Sequence, residues 1–114
     1  MVPGAIFALA FDGEGRAAGC GAYRPLGEGV AEVKRMFAAP GSRGIGAALL
    51  AFLEARAAAD GYRELWLETR LVNERAVRFY EKHGYLRIPN FGKYAGRPEA
   101  VCLAKRLARR PPSH

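Results

Sequence analysis

Three glycines fall within six positions of the stretch APGSRGIGAALLAFLEARAAADG, residues 39–61, and a run of helix-forming residues follows at once. A chain that leaves a strand at Pro40 and enters a helix near Gly44 has several backbone N–H groups without intrahelical acceptors. Glycine admits positive φ and keeps Cβ atoms out of the way, while the helix dipole favours negative charge at that end. The chemistry this turn supports is the holding of an anion by backbone groups, with Arg43 as a mobile positive charge at the rim. A tight turn with no ligand fits the same letters, because short glycine motifs are weak on their own. Two familiar phosphate loops fail. Ala47 and Ala48 stand where a P-loop needs lysine and then serine or threonine, and Leu49 stands where the dinucleotide fingerprint needs glycine or alanine.

The turn has to be positioned by the elements around it. GAIFALAF (4–11) is apolar and ends at the turn sequence DGEG, RAAGCGAYRP (16–25) reads as a second strand ending at Pro25, and LGEG makes another turn. VAEVKRMFA (30–38) is a third strand, with Val33 and Phe37 on one face and Glu32, Lys34, Met36 and Ala38 on the other. Ile45, Ala48, Leu49, Phe52 and Leu53 recur at helical spacing from Gly44 to Asp60, and Gly61 is a stop signal. ELWLET (64–69) follows as a strand, so strand, helix and strand imply a parallel crossover. A second helix over about 73–83 opens with Asn73 as cap and Glu74 in its first turn and closes with Lys82, His83 and Gly84. Ala76, Val77, Phe79 and Tyr80 make it amphipathic. The end reads as a short strand YLRI (85–88), a loop PNFGKYAGRPE and a final strand AVCLAKRL (100–107). Trp66 is read as a core strand residue, and His83 as a cap that compensates the helix dipole.

A chain of 114 residues, half of them hydrophobic, fits one domain spanning 1–114. It has no long apolar run and no basic-then-apolar leader, which predicts a cytoplasmic protein without a membrane partner. Cys20 and Cys102 are far apart and form no C-x-x-C pair, so they read as reduced, buried thiols and a metal site is not expected. The net charge of +7 favours phosphate-bearing partners, and part of it lies in KRLARRPPSH, read as a frayed basic end with 108–114 flexible. Charge alone would suggest a nucleic-acid binder. The basic and aromatic residues do not interleave into a reading surface, however, and no nucleic-acid motif is present, so no nucleic-acid partner is expected.

The stretches AEVKRMFAAPGSRGIGAALLAFLEA and LETRLVNERAVRFYEKHGYLRI together resemble the GNAT superfamily of acetyl-coenzyme A-dependent N-acetyltransferases, over roughly residues 4–107. The likeness is specific at the turn, which matches R/Q-x-x-G-x-G/A, and at NERAVRFYEKHGY, which matches N-x-x-A-x-x-x-Y-x-x-x-G-F/Y. It implies an α/β fold: a GNAT-like acyl-CoA N-acyltransferase core with a central mixed, mostly antiparallel sheet of about six strands and two main helices. It also implies acetyl-CoA as co-substrate, a small-molecule amine or amino acid as acceptor, direct transfer without a covalent enzyme intermediate, and no metal.

Carried onto this chain, the resemblance assigns the coenzyme's pyrophosphate to Ser42, Arg43, Gly44, Ile45, Gly46 and Ala47. The pantetheine arm would enter where the third strand splays from its parallel neighbour, against Met36 and Ala38. A backbone N–H near Met36 or Phe37 would polarise the thioester carbonyl, and Asn73 would hydrogen-bond the arm. Tyr80 corresponds to the tyrosine that in many relatives protonates the departing thiolate. Spacing alone would make it a core residue of an amphipathic helix. Glu32, six residues before Ala38, is the candidate base, acting directly or through water; a solvated glutamate paired with Lys34 or Arg24 is the competing reading.

Two departures stand out. Gly41 occupies the place where relatives carry arginine or glutamine. Relatives also begin with one more strand and one or two helices that wall the acceptor site, whereas this chain starts at their second strand. The wall would then come from a partner subunit or from a longer chain, or the acceptor site would be open. An edge left free by that strand raises homodimerisation as a hypothesis. The loop IPNFGKYAGRP (88–98), with Phe91, Lys93, Tyr94 and Arg97, hints at an anionic acceptor or is merely solvated. The rival function is a coenzyme A-binding module without catalysis, which the absent elements favour and the presence of both Glu32 and Tyr80 opposes.

Overall fold

Asp12 closes the first hairpin by accepting hydrogen bonds at Oδ1 from the N–H groups of Glu14 and Arg16, at 2.8 and 3.0 Å. In the computed structural model, which describes residues 2–108, this hairpin opens a six-stranded sheet. The elements are β1 (Ile6–Phe11), β2 (Ala17–Gly27), β3 (Val30–Ala38), α1 (Ile45–Ala59), β4 (Glu64–Arg70), α2 (Glu74–Lys82), β5 (Leu86–Ile88), a 3-10 turn (Gly92–Tyr94) and β6 (Ala100–Arg106). The strand order is β1-β2-β3-β4-β6-β5. Every pairing is antiparallel except β3 with β4, the parallel pair joined by the α1 crossover. The expected mixed, mostly antiparallel sheet with two helices is therefore the observed architecture.

Both helices end in the same way. At the end of α2, Gly84 takes φ +92°, its N–H bonds Glu81 O, and the N–H of Tyr85 reaches back to Tyr80 O. A side chain at position 84 would be strained in that left-handed conformation, so the glycine fixes the stop. The same closure brings Tyr80 and Tyr85 together edge to face, with ring centroids 5.6 Å apart. At the end of α1, Gly61 and Tyr62 bond Ala58 O and Ala57 O in the same pattern.

The core lies on one face of the sheet, beneath both helices. Leu50, Leu53 and Ala57 of α1 pack with Tyr23, Ala31, Val33, Leu65, Leu67, Val101 and Leu103 of the sheet and with Tyr80 of α2. Each fully buried leucine contributes roughly 1.5–3 kcal/mol, so hydrophobic burial is the main force seating α1. The helix comes close because β2 offers glycines beneath it. A Cβ at Gly19 would lie 2.8 Å from Ile45 Cγ2 and 3.0 Å from Leu49 Cδ1.

Several expectations need correction. Strand β2 does not stop at Pro25 but runs to Gly27. Its last pair with β1 is Tyr23 with Ile6, and beyond it β2 has one neighbour, where a residue without an N–H is tolerated. The buried stripe of α1 is Leu49, Leu50, Leu53 and Ala57, while Phe52 is half exposed. Phe52 sits on the flank of the helix above the edge strand β1, where the sheet ends beneath it. Lys105 and Arg106 belong to β6 rather than to a frayed end, and Lys105 Nζ pairs with Glu54 Oε1 at 3.1 Å. The remainder of the basic tail, 109–114, lies outside the described residues.

Candidate active site

Strands β3 and β4 pair only at Val30–Glu64, Ala31–Leu65 and Glu32–Trp66, although β3 continues to Ala38 and β4 to Arg70. Past Glu32 they part and leave a cleft. A bulge in β3 accompanies the parting. Cys20 pairs with Phe37 and Ala22 with Lys34, so Arg35 and Met36 together face the single residue Gly21. Arg35 takes φ +56°, a left-handed conformation uncommon for a non-glycine residue, and its carbonyl accepts from Cys20 Sγ at 3.3 Å.

The extra residue reverses the faces of the strand. Before the bulge, Ala31 and Val33 point to the helices and Glu32 and Lys34 to the opposite, open face. After it, Met36 packs against the core and Ala38 lies within reach of Gly46. The expected sharing of one face by Glu32, Met36 and Ala38 is thus overturned, as is the grouping of Val33 with Phe37. Phe37 is 57% exposed and pairs with Cys20, so its ring is not brought into the cleft. The N–H of Ala39 bonds Ala18 O. By antiparallel alternation the backbone groups of Phe37 also turn to β2, and those of Met36 and Ala38 turn to the cleft.

At the end of β3 the chain enters the glycine turn. Ser42 Oγ and Ser42 N–H both bond Ala39 O, at 2.6 and 3.1 Å, which folds the turn back on the strand. Gly44 then caps α1 with φ +74° and no side-chain hydrogen bond. The first helical bond is from Ala48 N–H to Gly44 O, leaving the N–H groups of Ile45, Gly46 and Ala47 without backbone acceptors among the described residues. No atom beyond the neighbours lies within 4 Å of where a Cβ on Gly44 would sit, so backbone conformation, not crowding, requires glycine there. A Cβ on Gly46 would meet the Phe79 ring of α2 at 3.5 Å, which fixes the turn beside the second helix. Gly41 also has φ +82°, so the turn holds a second left-handed glycine ahead of the cap.

Helix α2 delivers two residues to the cleft. Asn73 caps it, its Oδ1 accepting from Ala76 N–H at 3.2 Å, which leaves its Nδ2 group for other partners. Tyr80 is 8% exposed and lines the cleft beside Met36, and its hydroxyl has no hydrogen-bond partner among the described residues. Burial pushes its pKa up to about 12, so the phenol stays protonated throughout the neutral range. The ring of Tyr80 is core, as spacing alone suggests, and its hydroxyl borders the cleft.

Glu32 enters from the open face. It is 2% exposed, and its carboxylate has three partners. Lys34 Nζ lies 3.1 Å from Oε2, an Arg24 guanidinium nitrogen 3.6 Å from Oε1, and the Tyr94 hydroxyl donates to Oε2 at 3.1 Å. Lys34 also donates to the Tyr94 oxygen at 2.9 Å. Burial lowers the Lys34 pKa, but its bonds to Tyr94 and Glu32 outweigh that, and the net direction is up. Glu32 is paired with Lys34 and Arg24, as the competing reading held, yet it is buried rather than solvated. Glu68 also lines the cleft, and among the described residues it has neither an ion pair nor a side-chain hydrogen bond.

Tyr94 belongs to the loop 88–98 that the sequence connects with the acceptor, but its bond to Glu32 across 62 residues of chain is not legible there. Glu68 is absent from the sequence-derived site, although its alternation with the core residues Leu65 and Leu67 puts it on the open face. Trp66, expected in the core, is half-buried on the open face, where it stacks on Phe91 with centroids 5.2 Å apart. His83 caps α2 as expected and packs on Phe79. Cys102 is buried and its thiol is pushed up by burial, while Cys20 is only half-buried.

The cleft, about 300 Å³, is thus lined from both faces of the sheet. Met36, Asn73 and Tyr80 approach from the helix side, and Glu32, Glu68 and Tyr94 from the open side. Among the described residues no helix is long and apolar enough to cross a membrane, and no group of three or more His, Cys, Asp or Glu side chains is set to hold a metal.

Comparison with known proteins gives the same architecture a family. The sequence is 38% identical over 96 residues to an IAA acetyltransferase of Azospirillum brasilense, a match covering 82% of this chain and 63% of that protein. The chain therefore spans less than two-thirds of that relative. Its structure superposes with a TM-score of 0.87 and 32% identity on a Klebsiella pneumoniae protein assigned as an acyl-CoA N-acyltransferase, covering 95% of this chain and 77% of the other. It shares its fold with the PaiA N-acetyltransferase of Thermoplasma acidophilum, solved in complex with coenzyme A, at a TM-score of 0.77 and 22% identity over 90% of this chain and 61% of that one. The sequence model of the acetyltransferase (GNAT) family matches residues 2–85, which include the splayed strands, the glycine turn and both helices, and the chain belongs to that family.

Proposed function

We propose that this domain transfers the acetyl group of acetyl-CoA directly to the primary amine of a small molecule or amino acid. The observation that carries the reading is the two-sided cleft between β3 and β4, with Tyr80 on its helix side and Glu32 and Tyr94 on its open side. A donor and an acceptor can enter it from opposite faces of the sheet and meet.

The residues present fit the donor. Acetyl-CoA would supply the activated acyl carbon and a thiol leaving group. Ile45, Gly46 and Ala47 offer their free N–H groups to its pyrophosphate at the start of α1, with Ser42 shaping the turn and Arg43 adding charge. Asn73 Nδ2 and the cleft-facing backbone of Met36 and Ala38 are the polar groups for an extended arm. The same N–H groups are placed to stabilise negative charge on an acyl oxygen.

Transfer moves one proton from the amine to the departing sulfur. On the open side, Tyr94 gives a route from the cleft to the otherwise sealed carboxylate of Glu32, so Glu32 acts through that hydroxyl or a water rather than by touching the amine. On the helix side, Tyr80 is a phenol pushed up to about 12, a weaker acid than an alkyl thiol. Full proton transfer from it is uphill, so its first contribution is a hydrogen bond to the sulfur as negative charge develops.

Calorimetric titration with acetyl-CoA, followed by thiol release over a panel of amino acids, polyamines and small amines, tests the reading. Binding with turnover supports it. Binding without turnover on any amine would favour the non-catalytic coenzyme-binding module, and absence of binding would reduce the glycine turn to a turn. The reading extends to a homodimer, supported by the unpaired edge of β1 with Phe7, Leu9 and Phe11 each about half exposed. Light scattering that returned only monomer over a wide concentration range would overturn that part. A cytoplasmic setting and a single domain over 1–114 complete the proposal.

A further inference from the structure

A second depression lies beside the cleft on the open face, and its balance of charge differs. The cleft carries two carboxylates and two cations, Glu32, Glu68, Lys34 and Arg35, and among the described residues Glu32 is ion-paired while Glu68 is not. The neighbouring groove, about 450 Å³, is lined by Arg24, Lys34, Arg35 and Lys93 with the apolar floor of Phe7 and Ala22, and among the described residues no acidic side chain lines it. Lys34 and Arg35 border both spaces, so the two are neighbours. Glu32 satisfies Arg24 and Lys34 in part. Arg35 and Lys93 have no ion pair among the described residues, and Lys93 Nζ sits 5.5 Å from the Tyr94 ring centroid. Unpaired cations held together on one wall raise the local potential and favour a negative group.

The position of Arg35 is unusual. A β-bulge with a left-handed non-glycine residue is a costly conformation, and it occurs where cleft and groove meet. The bulge does two things at once, turning Met36 to the donor side and setting a guanidinium at the rim of the acceptor side.

We propose that the acceptor is an amine that carries a carboxylate, as an amino acid does. Its ammonium enters the cleft beside Glu32, Glu68 and Tyr94, and its carboxylate lies in the groove against Arg35 and Lys93. The unpaired carboxylate of Glu68 in the cleft and the unpaired cations of the groove match the two ends of such a zwitterion in sign, and the groove has room for a side chain over Phe7 and Ala22. This rests on the acetyl-transfer reading and names the substrate class of the same site. The reaction balances in protons and bonds: the ammonium gives up one proton, through Tyr94 and Glu32 or to water, before it attacks, the acyl–sulfur bond breaks as the amide bond forms, and the second proton from the nitrogen goes to the departing thiol.

The test uses matched sets of acceptors: L-leucine, L-phenylalanine, L-methionine and L-glutamate, each beside its α-carboxamide and its decarboxylated amine. Thiol release is measured with acetyl-CoA, and binding of each acceptor to the protein–coenzyme A complex is measured by calorimetry. The expected result is a kcat/KM at least about tenfold higher for the carboxylated member of a set, carried mainly by KM. Lys93→Met and Arg35→Asn should each narrow that ratio. Asparagine tolerates left-handed backbone, so the second variant keeps the fold. Equal or better use of the carboxamides or decarboxylated amines would overturn the proposal, as would a ratio unmoved by both substitutions, or failure of every carboxylated acceptor to bind the complex. If acetyl-CoA itself does not bind, the acetyl-transfer reading falls, and this inference falls with it. Transfer to uncharged amines alone would sink only the inference.

Discussion

The hydroxyl of Tyr94 donates to Glu32 Oε2 at 3.1 Å and accepts from Lys34 Nζ at 2.9 Å, joining the loop before β6 to the middle of β3. Removing that hydroxyl cuts the route from the cleft to the buried carboxylate and leaves the fold's core untouched. Tyr94→Phe should therefore lower kcat about tenfold or more while leaving the Kd for acetyl-CoA unchanged. Thiol-release kinetics and calorimetry on the same preparation check it. A variant with parental kcat across the pH range would remove Tyr94 from the proton route.

Tyr80 presents the opposite case, a phenol whose burial keeps it protonated. With its pKa pushed up to about 12, the donor form is fully present at neutral and mildly alkaline pH. The profile of kcat/KM should show no descending limb owed to Tyr80 up to about pH 10. Tyr80→Phe should reduce kcat without weakening coenzyme binding. A limb near pH 9 that disappears in Tyr80→Phe would show that burial does not set its acidity.

Gly44 is required by its φ of +74° and not by lack of room. Gly44→Val places a β-branched side chain in the left-handed region and should cost about 1–3 kcal/mol of stability. It should also block acetyl-CoA binding, because the cap sets the direction of the free N–H groups. Gly44→Asn tolerates the same φ, so its midpoint in urea should stay nearer to the parent. Equal midpoints for valine and asparagine would mean that position 44 can leave the left-handed region freely.

Lys34 links the site to alkaline stability. Its folded pKa lies above the ordinary 10.5, because Tyr94 and Glu32 outweigh burial. A raised cationic pKa adds stability that is fully present below the unfolded value and is lost as pH rises through the folded one. Lys34→Met should therefore be less stable than the parent at pH 7, and the gap should close as pH rises through the raised folded pKa of Lys34. A gap that stays constant from pH 7 to pH 12 would show that Lys34 contributes through packing alone.

Much of this protein was legible in its letters because the signals are local. Glycines that stop helices, an asparagine that caps one, the apolar run of β1 between turn residues and the strand–helix–strand order all act within a few residues, and they determine the element order and the parallel crossover. The resemblance in two motifs added the splay. What failed was parity along β3. A single extra residue at Arg35–Met36 reverses every face beyond it, and nothing in VAEVKRMFA signals the insertion, because the partner that reveals it is Gly21 on another strand. For the same reason the burial of Glu32, its bond to Tyr94 across 62 residues and the placing of a basic groove beside the cleft were decided only in three dimensions. Periodicity reports which residues can share a face, but pairing register and loop return determine which faces meet.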